Sequence, residues 1–258
     1  MSITRRQLLL ATLGASILAS LTPACSSAKD PAGPAPDSIT SLPVTPALFV
    51  HGVASGDPLA DRVILWTRAT PADGETGIEL AWIIATDAAL KNVLRTGTVT
   101  TGPERDFTAK VDVTDLTPGT TYYYAFARAD RGRSVTGRTK TLPTGATPRA
   151  RIAFTSCANY ANGFYSAYRA IAQRADLDLW VHLGDYIYEY PQGTYGDEAL
   201  AQSRALVPAG EVVTLADYRA RYGHYRRDPD LQEVHRQHPL VAVWDDHEIT
   251  NDAWAGGA

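Results

Sequence analysis

Cysteine is almost missing from this chain, with two residues in 258. Cys25 lies in the amino-terminal segment and Cys157 deep in the chain. Removal of the leader would take Cys25 with it, and a lone thiol cannot make an internal disulfide. Cys157 is therefore left for packing or metal chemistry. An excess of basic charge is missing too. The formal net charge is -4, so the electrostatic footprint of a nucleic-acid binder is absent and nucleic acid is excluded as a stable partner. The amino-terminal apolar run, Gln7 to Leu21, is about 15 residues long, short of the ~20 that a spanning helix needs. What remains is an ordinary globular composition, 45% hydrophobic and 20% charged, enough for one large domain or two small ones.

The start reads as an address rather than as fold. Met1-Ser-Ile-Thr-Arg-Arg6 is basic, an apolar stretch follows, and small residues run from Ala24 to Ala28, the order of an export signal over residues 1–28. Arg5-Arg6 before Gln7-Leu8-Leu9 resembles the twin-arginine signal, which implies the twin-arginine export machinery as a partner and a periplasmic or extracellular location. Cys25 follows Leu21-Thr-Pro-Ala24, a loose likeness to a lipoprotein box that Pro23 spoils. A lipid anchor at Cys25 is the alternative to cleavage near Ala28, and the signal or that anchor would be the chain's contact with a membrane. Residues 29–46, rich in Pro, Ala and Ser, are expected to be a linker with too little apolar content to fold.

From residue 47 to 145 the texture is short alternating segments broken by turns. Asp61–Arg68, Gly77–Ala85, Thr96–Thr101, Phe107–Val113 and Thr121–Arg128 each fit a strand with one buried face, which predicts an all-β sandwich. Leu116-Thr-Pro-Gly-Thr-Thr-Tyr-Tyr-Tyr124 resembles the fibronectin type III signature. Trp66, Trp82 and the tyrosines read as core. His51 to Asp57 reads as a Gly-rich turn docking on the second half, and 139–148 as a linker.

Residues 149–258 hold three apolar runs that each stop at reactive side chains. Ala150–Phe154 leads to Thr155-Ser156-Cys157, Leu177–Leu183 to Gly184-Asp185 and Tyr188, and Pro239–Trp244 to Asp245-Asp246-His247-Glu248. Ligands in open α/β sheets sit past the carboxyl ends of the strands, so these ends form a candidate metal-binding rim. Between the first two runs, Phe164, Tyr168, Ile171 and Ala172 make a helical stripe within Gly163–Ala175. Strand, helix and strand predict parallel neighbours. Residues 191–213 read as a long loop, Thr214 as the cap of a helix reaching Arg227, and Asp230–Gln237 as a further helical turn or two.

These motifs resemble a known family. Gly184-Asp185-Tyr186-Ile187-Tyr188 is similar to the Gly-Asp-x-x-Tyr element of metal-dependent phosphoesterases, and Ser-Cys, His-x-Gly-Asp-Tyr-Ile-Tyr-Glu-Tyr and Trp-Asp-Asp-His-Glu occur in the order of the PhoD-like alkaline phosphatases. The resemblance implies a fibronectin-III-like sandwich followed by the first half of a four-layer α/β metallophosphatase domain. It implies an exported phosphoesterase of phosphate mono- or diesters, serving phosphate acquisition, with Fe3+ and Ca2+ as cofactors. Asp185 is the expected bridging and catalytic carboxylate, and Cys157 and Tyr188 are ligands suited to Fe3+. Asp246, an oxygen donor, suits Ca2+. By its place in the motif His247 would orient substrate or move a proton to the leaving group, with Glu248 holding its ring. His182, His235 and His238 read as core histidines or helix-end groups. Arg219, Arg221, Arg226 and Arg227 read as a solvated helix face, with a phosphate clamp as the lesser alternative. Family members continue for about as many residues again and bring further ligands. A truncated chain with an uncovered sheet edge and apolar surface is expected, its alternative function being that of a non-catalytic remnant that binds only phosphate or metal.

Overall fold

Alternation of apolar and polar residues sets the strands of the first half, and the computed structural model, which describes residues 33–129, 131–194, 198–200 and 202–257, gives eight of them. They are β1 (Val53–Gly56), β2 (Val63–Arg68), β3 (Ile78–Ala85), β4 (Val93–Thr101), β5 (Thr108–Val113), β6 (Thr121–Arg128), β7 (Gly132–Arg133) and β8 (Gly137–Lys140). In β2, Val63, Leu65 and Thr67 are buried while the residues between them are half-buried, the period of two that a strand demands. One sheet runs β4-β3-β6-β7, with β8 also on β6. Across from it β1, β2 and β5 pair antiparallel. Val53, Leu65 and Val113 from one side meet Leu80, Tyr124 and Phe126 from the other in a shared core. The Tyr122 hydroxyl accepts a hydrogen bond from Thr117 N–H at 2.9 Å, which anchors the turn before β6.

The second half supplies β9 (Ile152–Thr155), β10 (Leu179–His182) and β11 (Leu240–Ala242), with α2 (Ser166–Ala172), α3 (Leu215–Tyr225) and α4 (Pro229–Gln237). The expected parallel neighbours are present, since β10 pairs parallel with β9 and with β11. Thr214 caps α3 in a capping box with Asp217. Asp228 caps α4 ahead of Pro229, whose missing N–H costs nothing at that position. Trp180, Tyr168, Leu231 and Val234 fill the core on one face of β9–β11. The opposite face carries Ile152, Phe154, Leu183 and Val243, all exposed. No helix among the described residues is long and apolar enough to cross a membrane.

Several expectations need correcting. The expected export signal 1–28 and Cys25 lie outside the described residues. Residues 33–46 are not a bare linker: α1 (Pro36–Thr40) forms there and buries Ile39 against Ile83 and Ala125. One apolar residue placed on a sheet is enough where composition alone argued against folding. Phe164 precedes α2 and is exposed, so the apolar stripe begins at Tyr168. Thr139 and Lys140, assigned to a linker, belong to β8.

The largest correction concerns His51–Asp57. Its Val53–Gly56 is strand β1 rather than turn, and through it the two halves share a sheet in the order β5-β2-β1-β11-β10-β9. Gly56 pairs with Leu240 in parallel, and Asp57 N–H donates to the Leu240 carbonyl at 2.9 Å. Arg138 Nη1 donates to Gln237 O at 3.1 Å and Arg236 Nη1 to Thr136 O at 2.9 Å, which reinforces the seam. A Cβ at Gly56 would meet Leu240 O at 2.9 Å, and backbone must shift to relieve it. Gly56→Val should lower stability by about 1–3 kcal/mol in urea unfolding and speed hydrogen exchange at the Asp57 amide. Unchanged exchange would mean that side chains alone join the halves.

Candidate metal centre

Beyond the ends of β9 and β10 the chain turns into the left-handed region. Cys157 has φ 57° and Asp185 has φ 55°, positions that cost a non-glycine residue and persist where the surroundings fix them. Here they are fixed by each other. Cys157 N–H donates to Gly184 O at 3.2 Å and Ala158 N–H to Asp185 O at 2.8 Å. Gly184 has φ 105°, and a Cβ on it would lie 2.6 Å from the Asp245 nitrogen, so glycine is required for the third strand end to approach.

That third end is tied in by Glu248. Its carboxylate accepts from the backbone N–H of Asp185 at 3.0 Å, of Asp245 at 2.8 Å, and of Tyr186. The result is a cluster in which ligand atoms of Asp185, Asp246 and His247 lie within 4.8 Å of one another. Tyr188 Oη donates to Asp185 Oδ2 at 3.1 Å. Burial first, then Asp185 and Cys157, push the Tyr188 phenol above its ordinary range, and Cys157 is a free, exposed thiol. Asp185, Tyr188, Asp246 and His247 are thus brought together, and Cys157 is joined to the Gly184-Asp185 turn by its backbone.

Two roles differ from the expectation. Glu248 does not hold His247; it holds the Asp185 turn. The His247 ring is held by Glu189, which is buried: His247 Nδ1 lies 2.9 Å from Glu189 Oε2, and Asn251 N–H donates to Glu189 Oε1 at 2.7 Å. A carboxylate only accepts, so the neutral ring carries its proton on Nδ1 and keeps Nε2 available. Glu189 stands four residues after Asp185, a spacing whose meaning depends on the loop that follows. Asp246 Oδ1 accepts from His247 N–H at 3.0 Å, and its other oxygen accepts from Asp252 N–H. The latter bond leads the causes that hold its pKa down.

The histidine expectations divide in detail. His182 is buried with Nδ1 3.3 Å from Gly184 N–H and Nε2 3.1 Å from Tyr168 Oη, and burial lowers its pKa to about 4. It is a neutral core group supporting the Gly184 turn. His235 and His238 are buried as well. The expected solvated arginine face is contradicted at two positions. Arg221 is fully buried and donates to the carbonyls of Tyr188, Tyr190, Val207, Pro208 and Gly210, and Arg226 is 6% exposed. Five backbone acceptors replace water around the Arg221 guanidinium and pin the Tyr188–Tyr190 segment. Nothing in the helical spacing of α3 signals this, because the acceptors come from a loop.

The donor set fits a cation on one observation. Asp185 is 7% exposed, and its Oδ1 is buried without a hydrogen-bond partner. A buried carboxylate oxygen left bare is costly unless something positive meets it. Parallel strands bearing this cluster at their carboxyl ends define an α/β protein with a candidate metal centre. The chain belongs to the PhoD-like phosphatase family: residues 152–258 match the family's phosphatase domain and residues 35–143 its N-terminal domain. It is 40% identical over 212 residues to alkaline phosphatase D of Bacillus subtilis (strain 168), covering 79% of this chain. A solved structure of PhoD superposes with TM-score 0.74 at 38% identity over 80% of this chain. The chain spans 36% of the length of the first relative and 40% of the second.

Two exchanges test this arrangement. Glu248→Gln removes an acceptor oxygen from three converging N–H groups and should cost about 1–3 kcal/mol, with faster exchange at the Asp185 and Tyr186 amides. Glu189→Gln should move the neutral His247 ring toward the Nε2–H tautomer, read from imidazole nitrogen chemical shifts. An unmoved tautomer would show that Glu189 does not set it.

Proposed function

We propose that this chain carries the strand-end half of an exported, metal-dependent phosphoesterase that hydrolyses phosphate mono- or diesters and serves phosphate acquisition. The single observation behind the reading is the convergence of Asp185, Asp246 and His247 within 4.8 Å around a buried, unpartnered Asp185 oxygen, in a chain of this family. The fuller architecture proposed is a fibronectin-III-like sandwich against part of a four-layer metallophosphatase domain. Export through the twin-arginine route, with Cys25 as an alternative lipid anchor, belongs to the same proposal.

Asp185 would be the carboxylate shared by two ions. Tyr188, hydrogen-bonded to Asp185, and Cys157, bonded through its backbone to the same turn, would offer a phenol and a thiol, donors that favour Fe3+, because a phenol held protonated needs a strongly acidic ion to ionise it. Asp246 offers oxygen and favours Ca2+. When bound, such a pair neutralises phosphoryl oxygens and lowers the pKa of water. The protein's own groups do the rest. With both nitrogens protonated and the ring's charge stabilised by Glu189 at Nδ1, His247 can pass the Nε2 proton to the leaving oxygen and return to the neutral Nδ1–H form. Until an ion takes up its phenol, Tyr188 holds Asp185 in orientation through its hydroxyl. A groove of about 330 Å³ lined by Ser156, Asn159 and Phe164 opens beside Cys157 and offers substrate an approach.

Elemental analysis of the purified chain, read beside turnover of p-nitrophenyl phosphate with calcium present, tests the proposal. Stoichiometric iron and turnover are expected, with iron lost in Asp185→Asn and turnover lowered about 10²–10⁴-fold in His247→Asn. An iron-free, inactive chain would sink the catalytic reading and leave the remnant that binds phosphate or metal alone, a reading favoured by the exposed face of Ile152, Phe154 and Val243.

A further inference from the structure

A second cavity, of about 740 Å³, lies at the seam, bounded by β1, β2 and β5 on one side and by α3 and the end of β11 on the other. Its size is that of a small-molecule site. Its walls are flat and aromatic: Tyr186 and Tyr222 stack with ring centroids 5.9 Å apart, and Arg226 lies over the Trp66 ring at 4.7 Å.

Charge on the wall is not balanced. Arg68, Arg105, Lys110, Arg219 and Arg226 border the cavity, against Asp57, Asp106 and Glu248. Asp106 is engaged by Arg68 at 2.7 Å, and the Glu248 carboxylate is taken up by backbone N–H groups. His51 adds no positive charge, because burial and then Arg68 and Arg226 lower its pKa to about 3. Arg226 is left with no carboxylate. One of its nitrogens donates to His51 O at 3.1 Å, while Nε and Nη1 have no hydrogen-bond partner although the residue is 6% exposed. His235 Nδ1, on the same wall, is likewise buried and unpartnered.

A guanidinium out of water with two idle donors is expensive unless an anion meets it. We propose that the seam cavity is a binding site for a small organic anion, a flat apolar body bearing one acidic group, with the acid on Arg226 and the body against Trp66, Tyr186 and Tyr222. Planar, bidentate recognition of an acidic group is what guanidinium provides, and the aromatic walls supply burial for the remainder. None of the proposed metal ligands lines this cavity, so the inference stands apart from the phosphoesterase reading.

The probe is 1-naphthalenesulfonate, titrated into the full chain by calorimetry and by quenching of tryptophan fluorescence. Saturable 1:1 binding is expected, with 1-naphthylmethylamine, the same ring bearing a cation, at least about tenfold weaker. Leu215 lines the mouth and is 66% exposed, so Leu215→Glu should fold normally and weaken the sulfonate about tenfold. Arg226→Met should abolish binding; if that variant does not fold, the Leu215→Glu and two-ligand comparisons still decide. Phe154→Ser, on the exposed sheet face, should leave binding unchanged. Absent binding, equal affinity for both ligands, indifference to Leu215→Glu, or sensitivity to Phe154→Ser would each overturn the proposal.

Discussion

One carboxylate holds the strand ends together. Glu248 reaches from the turn after β11 and accepts backbone N–H groups of Asp185, Tyr186 and Asp245. Parallel pairing aligns β10 and β11 but does not fix the turns beyond them, where no ladder hydrogen bonds remain. A charged acceptor in that place is worth more than a neutral one, roughly 1.5–3 kcal/mol per bond. The left-handed backbone at Asp185 and the close approach of Gly184 to Asp245 depend on it. The Asp185 side chain is thereby presented to Asp246 and His247 before any ligand arrives. Preorganisation of this kind is what a metal or phosphate site requires of its protein.

Around that point the protein uses buried charge where a small loop-rich site lacks apolar material. Arg221 replaces its hydration with backbone carbonyls of Tyr188 and Tyr190, just before the 191–213 loop, and of Val207, Pro208 and Gly210 within it. Arg204 pairs with Asp228 at 2.5 Å, both side chains 4% exposed, and its guanidinium lies 3.4 Å from the Tyr160 ring centroid. The same Asp228 caps α4 through its other oxygen. Buried pairs of this sort give little net stability against an apolar equivalent, but removing one partner is costly. Their effect is to allow one arrangement of the loop. Arg226 differs in having two idle nitrogens and no carboxylate, at a cavity wall.

The sandwich is part of the same architecture. Because β1 pairs with β2 on one side and β11 on the other, the first half extends the sheet whose ends carry the site. Leu240 is held from both flanks, by Gly56 and by Trp180. The seam is also where α3 and β5 face each other, which creates the large cavity. Two independently packed domains on a flexible tether would have formed neither.

Local pattern alone determined a great deal of this protein. Period-two alternation marked β2, β3, β5 and β6, Thr214 and Asp217 marked the start of α3, and apolar runs ending in Cys157, Asp185 and Asp246-His247 marked the candidate site. These are properties of a few neighbouring residues, so they are written where they act. Tertiary structure decided the rest, because the remaining contacts join residues far apart in the chain. Whether Glu189 or Glu248 meets His247 depends on how two turns fold across each other, and either carboxylate is chemically suitable. Whether Arg221 is solvated depends on a loop that returns over α3. That Val53–Gly56 becomes strand depends on an edge offered by Leu240, since four residues that end in one glycine and follow another carry too little propensity to choose a strand without a partner.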